Sequence, residues 1–92
     1  MSAATVTRHD DTLVLTGTLD RVAVATLWPQ AQALAGVRRL DLSAVDRVDS
    51  AGLALLAELA ARIDGVAVVG RPEGLGELRA AYRLQDDLSF AG

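Results

Sequence analysis

LDLSAVDRVDSAGLALLAELAARI (residues 40–63) changes its spacing of apolar residues halfway along, and that change decides the fold. The first four residues of this stretch end the segment 37–43, VRRLDLS. The apolar residues of that segment predict a strand. The second part predicts a helix over 51–64, and four apolar side chains share its buried face: Leu55, Leu56, Leu59 and Ile63. Glu58 and Arg62 are four residues apart on the face expected to be exposed to solvent, and Gly65 is expected to end the helix.

Upstream, TLVLTG (12–17) alternates apolar and polar residues and predicts a strand. An earlier short strand near residues 4–8 is expected to pair with it through a turn at Asp10 and Asp11. Segment 19–36 is predicted to be helical in its second half, with Leu27, Ala31 and Leu34 on one face and Gly36 as the C-cap. Pro29 then either opens this helix or kinks a longer one.

Downstream, VAVVG (66–70) is short and wholly apolar, which predicts a strand buried under helices. A last helix is expected over 73–84, with Leu75, Leu78 and Tyr82 on one face. Leu88 and Phe90 are expected to hold the C-terminal segment after residue 84 against the domain. Trp28 and Tyr82 are each open to two interpretations, as core residues or as interface anchors, and Tyr82 is placed in the core.

The alternation of strands and helices predicts one small α/β domain over residues 1–92. Its sheet is expected to be mixed but mainly parallel, with helices packed against it and right-handed crossovers. The loop Val48–Gly52, VDSAG, follows a strand and leads into a helix. It therefore lies at the carboxyl end of the sheet, where such folds usually place function.

Composition excludes several classes of function. The net charge is −3, and all nine basic residues are scattered arginines, so neither nucleic acid nor an anionic membrane surface is an expected partner. Three aromatic residues offer no platform for stacking bases. Cysteine is absent, and no apolar run is long enough to span a membrane, so the expected location is the cytoplasm.

The loop VDSAG has a structural and a functional interpretation. In the first, Ser50 is the N-cap of the helix, Asp49 complements the helix dipole, and Gly52 allows close packing. In the second, the same helix end presents a rigid hydroxyl that a partner contacts or a kinase phosphorylates.

Residues 40–56, LDLSAVDRVDSAGLALL, resemble the central motif of STAS domains: apolar-Asp-apolar-Ser, then apolar-Asp-Ser/Thr-x-Gly-apolar. Residues 15–20, LTGTLD, are similar to the family's first-strand motif, with Thr18 in place of an acid. Within the family, the short length, Leu27-Trp28 and segment 78–84 are most similar to the MlaB-like branch. This resemblance implies a STAS-like fold and a non-enzymatic binding module.

MlaB-like proteins are cytoplasmic subunits that support the ATPase of a phospholipid ABC transporter, which maintains outer-membrane lipid asymmetry. The resemblance thus implies an ATPase partner at the cytoplasmic face of the inner membrane, without direct membrane insertion. The expected contact residues are Asp49, Ser50, Ala51, Gly52, Leu53, Ala54 and Glu58. The alternative is an anti-sigma factor antagonist that phosphorylation of Ser50 releases from its partner.

A third hypothesis is a sensor of metal ions or small anions, because Asp41, Asp46 and Asp49 lie within nine residues. The segment lacks an EF-hand pattern, so the expectation is that no metal or other cofactor is bound. Enzymatic activity is not expected either. His9 is the only histidine, which leaves Ser50 without an obvious general base.

Overall fold

The computed structural model describes residues 4–31, 34–63, 65–84 and 88. Within these residues the chain forms four strands and three helices in an α/β order. In chain order these are β1 (Thr5–His9), β2 (Thr12–Leu19), α1 (Arg21–Gln30), β3 (Arg39–Val48), α2 (Ser50–Ala61), β4 (Ala67–Val69) and α3 (Leu75–Ala81).

The strands form one sheet in the order β1-β2-β3-β4. β1 and β2 make an antiparallel hairpin, whereas β2, β3 and β4 are parallel neighbours. The hairpin turns at Asp10, whose φ of 55° lies in the left-handed region that Asp tolerates better than most residues. The predicted mixed, mainly parallel sheet is therefore confirmed, including the early strand.

Leucine side chains dominate the core. Along β2 the buried residues alternate with half-buried ones, so one face of the strand packs under the helices. α1 and α2 contact each other and β2, and α2 also contacts β3 and α3. The largest fully buried side chains are Leu15, Leu19, Leu27, Leu40, Leu42, Leu55, Leu56 and Leu59. Leu88 is also buried, as predicted, whereas Phe90 lies outside the described residues.

The first helix starts earlier than the sequence pattern indicates. α1 begins at Arg21, because the Asp20 carboxylate accepts a hydrogen bond from the Ala23 amide at 2.8 Å and caps the helix there. Pro29 consequently lies in the last turn rather than at the start. The predicted C-cap at Gly36 is wrong, because the C-cap is Ala31.

The predicted strands and the last helix also differ in extent. β3 continues five residues past 43 to Val48, and its pairing with β2 includes two register shifts. One shift lies at Gly17, whose φ of 82° suits glycine. β4 is the edge strand and not a buried one, since nothing in the described sheet lies beyond it and Val69 is 41% exposed. α3 is shorter than predicted and starts after Gly74.

The start of α2 differs from the prediction by one residue, and this changes the role of Ser50. Asp49 is the N-cap: its backbone is extended, and its carboxylate accepts from the Gly52 amide at 2.9 Å. Ser50 is the first helical residue, so its predicted role as N-cap is wrong. An Asp side chain caps as well as Ser does, and Asp49 is already in extended geometry.

Gly52 lies directly against the end of β2. A Cβ atom at this position would stand 2.2 Å from the Leu19 carbonyl oxygen and 2.8 Å from the Leu19 Cβ. The backbone amide of Asp49 also donates to the Leu19 carbonyl, at 3.2 Å. The first turn of α2 therefore packs on β2 more closely than any residue with a side chain would permit.

We expect Gly52→Ala to destabilise the domain by about 2 kcal/mol, although alanine is the better helix former. The added methyl group meets backbone atoms, which cannot rotate away. Gly76→Ala in α3 is the matched control: nothing lies within 4 Å of its Cβ position, so it should stabilise by about 0.5 kcal/mol. Urea unfolding measures both. A Gly52→Ala domain as stable as the wild type would refute the close packing.

We expect the helix cap to be lost on Asp49→Ala and kept on Ser50→Ala. The first change should lower the free energy of unfolding by about 1 kcal/mol, because the Gly52 amide loses its acceptor. The second should change it by less than about 0.5 kcal/mol, since Ser50 is exposed and alanine favours the helix. Asp49→Asn should retain most of the stability. Equal losses for the two alanine variants would contradict Asp49 as the cap.

Candidate functional site

The seven residues predicted as contacts do not all face outward. Ser50, Ala54 and Glu58 are exposed, and their spacing of four residues places them on one face of α2. Ala51 is half-buried, while Gly52 and Leu53 are buried. The Asp49 carboxylate is engaged in capping the helix. Of the predicted contact residues, Ser50, Ala54 and Glu58 therefore form a continuous surface on the exposed face of α2.

That face is one wall of an apolar groove of about 530 Å³. Three described residues that follow α3, Tyr82, Leu84 and Leu88, line it as well. The lining residues are Ser50, Leu53, Ala54, Ala57, Glu58, Ala61, Tyr82, Leu84 and Leu88. This volume lies within the range of pockets that bind ligands or partner side chains. Four of the predicted contact residues therefore border a single concave surface.

Tyr82 is the lining residue that the sequence pattern misplaced. Its helical spacing from Leu75 and Leu78 indicated a core position, but its side chain is 52% exposed at the groove. The helix ends one residue earlier, at Ala81, so the face predicted for a longer helix does not continue to Tyr82.

An ion pair lies at the rim of the groove, and its arginine also contacts a tryptophan of α1. The Arg62 guanidinium lies 3.1 Å from the Glu58 carboxylate, which confirms the predicted pair on the wet side of the helix. The same guanidinium lies 5.3 Å from the centre of the Trp28 ring. This distance allows a cation–π contact. Trp28 is half-buried and packs against the core, so it joins α1 to the rim rather than lining the groove.

The three acids considered for a metal do not come together. The Asp41 carboxylate accepts from the Ser43 amide at 2.9 Å, and hydrogen bonds from Ser43 hold the pKa of Asp41 below its usual value. Asp49 caps α2 instead. Among the residues that the structure describes, no three His, Cys, Asp or Glu side chains are grouped as metal ligands.

His9 and Ser50 lie at opposite ends of the sheet. His9 pairs with Thr12 at the start of β2, whereas Asp49 bonds to Leu19 at its end. The eight residues of β2 separate them by roughly 23 Å at about 3.3 Å per residue. His9 therefore cannot serve as a general base for the Ser50 hydroxyl. None of the described helices is both long and apolar enough to cross a membrane.

Comparisons with known proteins agree with this architecture. A family model described as "Mlab, STAS domain" matches residues 2–89. The "Intermembrane phospholipid transport system binding protein MlaB" of Escherichia coli (strain K12) is 48% identical over 50 residues, and so is the protein of the same name from Shigella flexneri. Each match covers 53% of this chain and 52% of the relative.

A solved structure described as "Crystal Structure Analysis of Mglu" is also similar, with a TM-score of 0.51 and 30% sequence identity. The match covers 79% of this chain and 20% of that one. The matched region thus spans about half the length of the two curated relatives and a fifth of the solved structure. The family match extends over nearly the whole chain, however, and the mixed four-stranded sheet with its helices agrees with it. The chain therefore belongs to the STAS domain family, and within that family it is similar to MlaB.

Proposed function

We propose that this protein is a non-enzymatic adaptor subunit that binds the cytoplasmic ATPase of a phospholipid ABC transporter of the Mla type. The observation that carries the proposal is the exposed Ser50 at the first position of α2, opening onto an apolar groove. The names of the two MlaB relatives, binding proteins of an intermembrane phospholipid transport system, support this assignment.

The proposed contact begins at Ser50 and extends along α2 to Ala54 and Glu58. Ser50 offers a hydroxyl on a helix whose start is held by the Asp49 cap and by the packing of Gly52. Ala54 is small enough for a partner backbone to approach. A small polar contact next to an apolar recess is the usual composition of a protein interface, with a polar rim around an apolar centre.

The adaptor would act through the free energy of binding. If it binds one conformation or dimer arrangement of the ATPase more tightly than another, it shifts the population towards that state. A reciprocal coupling follows, so nucleotide or transport state would in turn change the affinity of the adaptor. In this function the protein lies at the cytoplasmic face of the inner membrane through its partner, and the transporter maintains outer-membrane lipid asymmetry.

An anti-sigma factor antagonist is the second candidate. The exposure of Ser50 favours it, because a kinase needs access to the hydroxyl. A phosphate here would add roughly −1.5 to −2 charges at a helix N-terminus, where the amides stabilise negative charge. The modified protein would stay folded while its contact surface changed.

The test is an affinity capture from cytosol and solubilised membranes, comparing wild type with Ser50→Asp and Ser50→Thr. We expect the wild type and Ser50→Thr to retain an ABC ATPase with its permease, and Ser50→Asp to reduce recovery at least tenfold. The melting temperature of Ser50→Asp should match the wild type, since an acid in the first turn complements the helix dipole.

Mass spectrometry identifies the captured proteins and any phosphate on Ser50. Capture of an anti-sigma factor with kinase activity, together with phosphorylated Ser50, would overturn the transporter assignment in favour of the second candidate. If a folded Ser50→Asp variant captures as much ATPase as the wild type, Ser50 is not part of the contact surface.

A further inference from the structure

The first strand, β1, is an edge strand of the described sheet. It pairs with β2 on one side, and no described strand pairs with its other side. Alternate residues of an antiparallel strand exchange hydrogen bonds with a given neighbour, so the amide and carbonyl groups of the remaining residues point to the free edge. The pairing with β2 runs through all five residues without a register shift. The free edge is therefore an uninterrupted template for another strand.

The usual protections of an edge strand are missing from β1. The strand contains no proline and no bulge. Its arginine does not shield the edge either, because the Arg8 Nε–H donates to the Asp10 carbonyl at 2.9 Å and the side chain turns back along its own hairpin. β4, the other edge strand, has only three residues. β1 therefore offers the longer unpaired ladder.

The sequence of β1 is compatible with pairing to a second copy of itself. An antiparallel two-fold pairing centred on Thr7 is the register that keeps all five residues of Thr5–His9 in the ladder. It places Thr7 opposite its own copy, and it places Val6 opposite Arg8 of the second copy. Thr5 then lies opposite His9. No cation faces a cation, so this register avoids the like-charge repulsion that destabilises cross-strand pairs.

The position of α1 fits the same arrangement. α1 contacts both β1 and β2, so its axis lies over that strand pair. Because neighbouring strands are about 4.8 Å apart, pairing through β1 would place the two copies of α1 about 10 Å apart. Packed helices lie roughly 8–10 Å apart. The two sheets can therefore join with the helices above them in contact and without a clash.

The side of α1 that would meet its copy is exposed. Trp28 marks the opposite side, because its ring lies 5.3 Å from the guanidinium carbon of Arg62, directly after α2. Thr26 and Val22 lie about 160° and 120° from Trp28 around the helix. Both are exposed, and Val22, at 78%, is the most exposed large hydrophobic side chain among the described residues. A contact along this side would remove that valine from water.

We propose that two copies of this domain associate through their β1 edges, which joins two four-stranded sheets into one and packs the two α1 helices across the two-fold axis. The contact lies on the side of α1 away from α2, so the exposed face of α2 that begins at Ser50 stays accessible in both copies. The inference does not depend on the proposed function. Combined with it, the dimer would hold two partner-binding faces in a fixed relation.

Disulfide trapping tests the register, because the chain has no cysteine of its own. Directly opposite residues of an antiparallel pair have Cβ atoms about 4.5–5.5 Å apart, close to the separation that a disulfide spans. Thr7→Cys should therefore form a covalent dimer on mild oxidation, visible on a non-reducing gel. Val14→Cys is the matched control: Val14 pairs with Thr7 on β2, and its two copies would be roughly 14 Å apart, three strand spacings. Equal cross-linking of both variants would contradict the register.

Sedimentation equilibrium measures the association itself. We expect a mass of twice 9.6 kDa that falls to 9.6 kDa on dilution. Thr26→Arg should weaken dimerisation at least about tenfold, because it places like charges face to face near the two-fold axis. Ala25→Arg adds the same charge at an exposed position about 100° further round the helix, pointing away from the contact, and should dimerise as the wild type does. Thermal melting establishes that every variant is folded.

The outcomes separate this inference from the proposed function. A wild type that stays at 9.6 kDa up to millimolar concentration overturns the dimer, whatever the affinity capture recovers. A dimer that folded Thr26→Arg leaves intact and that Thr7→Cys does not trap would also overturn pairing through β1. Ser50→Asp should dimerise as the wild type does, and loss of its dimer would assign the association to the α2 face. A trapped β1 dimer without ATPase capture supports this inference and contradicts only the adaptor function.

Discussion

The close packing of the first turn of α2 on the end of β2 is the constraint on which the rest of the structure depends. The Leu19 carbonyl accepts from the Asp49 amide and leaves no space for a side chain at Gly52. At the end of β3, the Val48 amide donates to the Glu73 carbonyl at 2.9 Å. Two parallel strands, a helix start and the segment before α3 are thereby joined within a few residues, which sets the direction of α2 and the position of its exposed face.

The order of strands and helices could be predicted from the sequence, because the longer elements have a regular spacing of apolar residues. The buried face of α2 and the strand around Leu40 and Leu42 follow directly from that spacing. The start of α1 was predicted too late because Pro29 is typical of a first helical turn, whereas the Asp20 cap starts the helix at Arg21. The edge position of β4 was missed because a short apolar strand has the same pattern at an edge and in the centre of a sheet.

The candidate site was predictable only on one side. A contiguous motif identifies the α2 wall, since Ser50, Ala54 and Glu58 lie on one helix face by spacing alone. The other lining residues, Tyr82, Leu84 and Leu88, follow α3, and their positions are set by tertiary packing. Tyr82 was assigned to the core for this reason. No local pattern distinguishes an aromatic residue just inside a helix end from one just outside it.

Capping by Asp49 gives positions 49 and 50 separate physical roles. The carboxylate that stabilises the helix belongs to one residue, and the hydroxyl exposed to solvent belongs to its neighbour. Position 50 can therefore vary among small polar side chains with little effect on folding free energy. Selection for a different partner at this position is not opposed by selection for stability, so recognition can diverge among related domains while the framework around Gly52 stays unchanged.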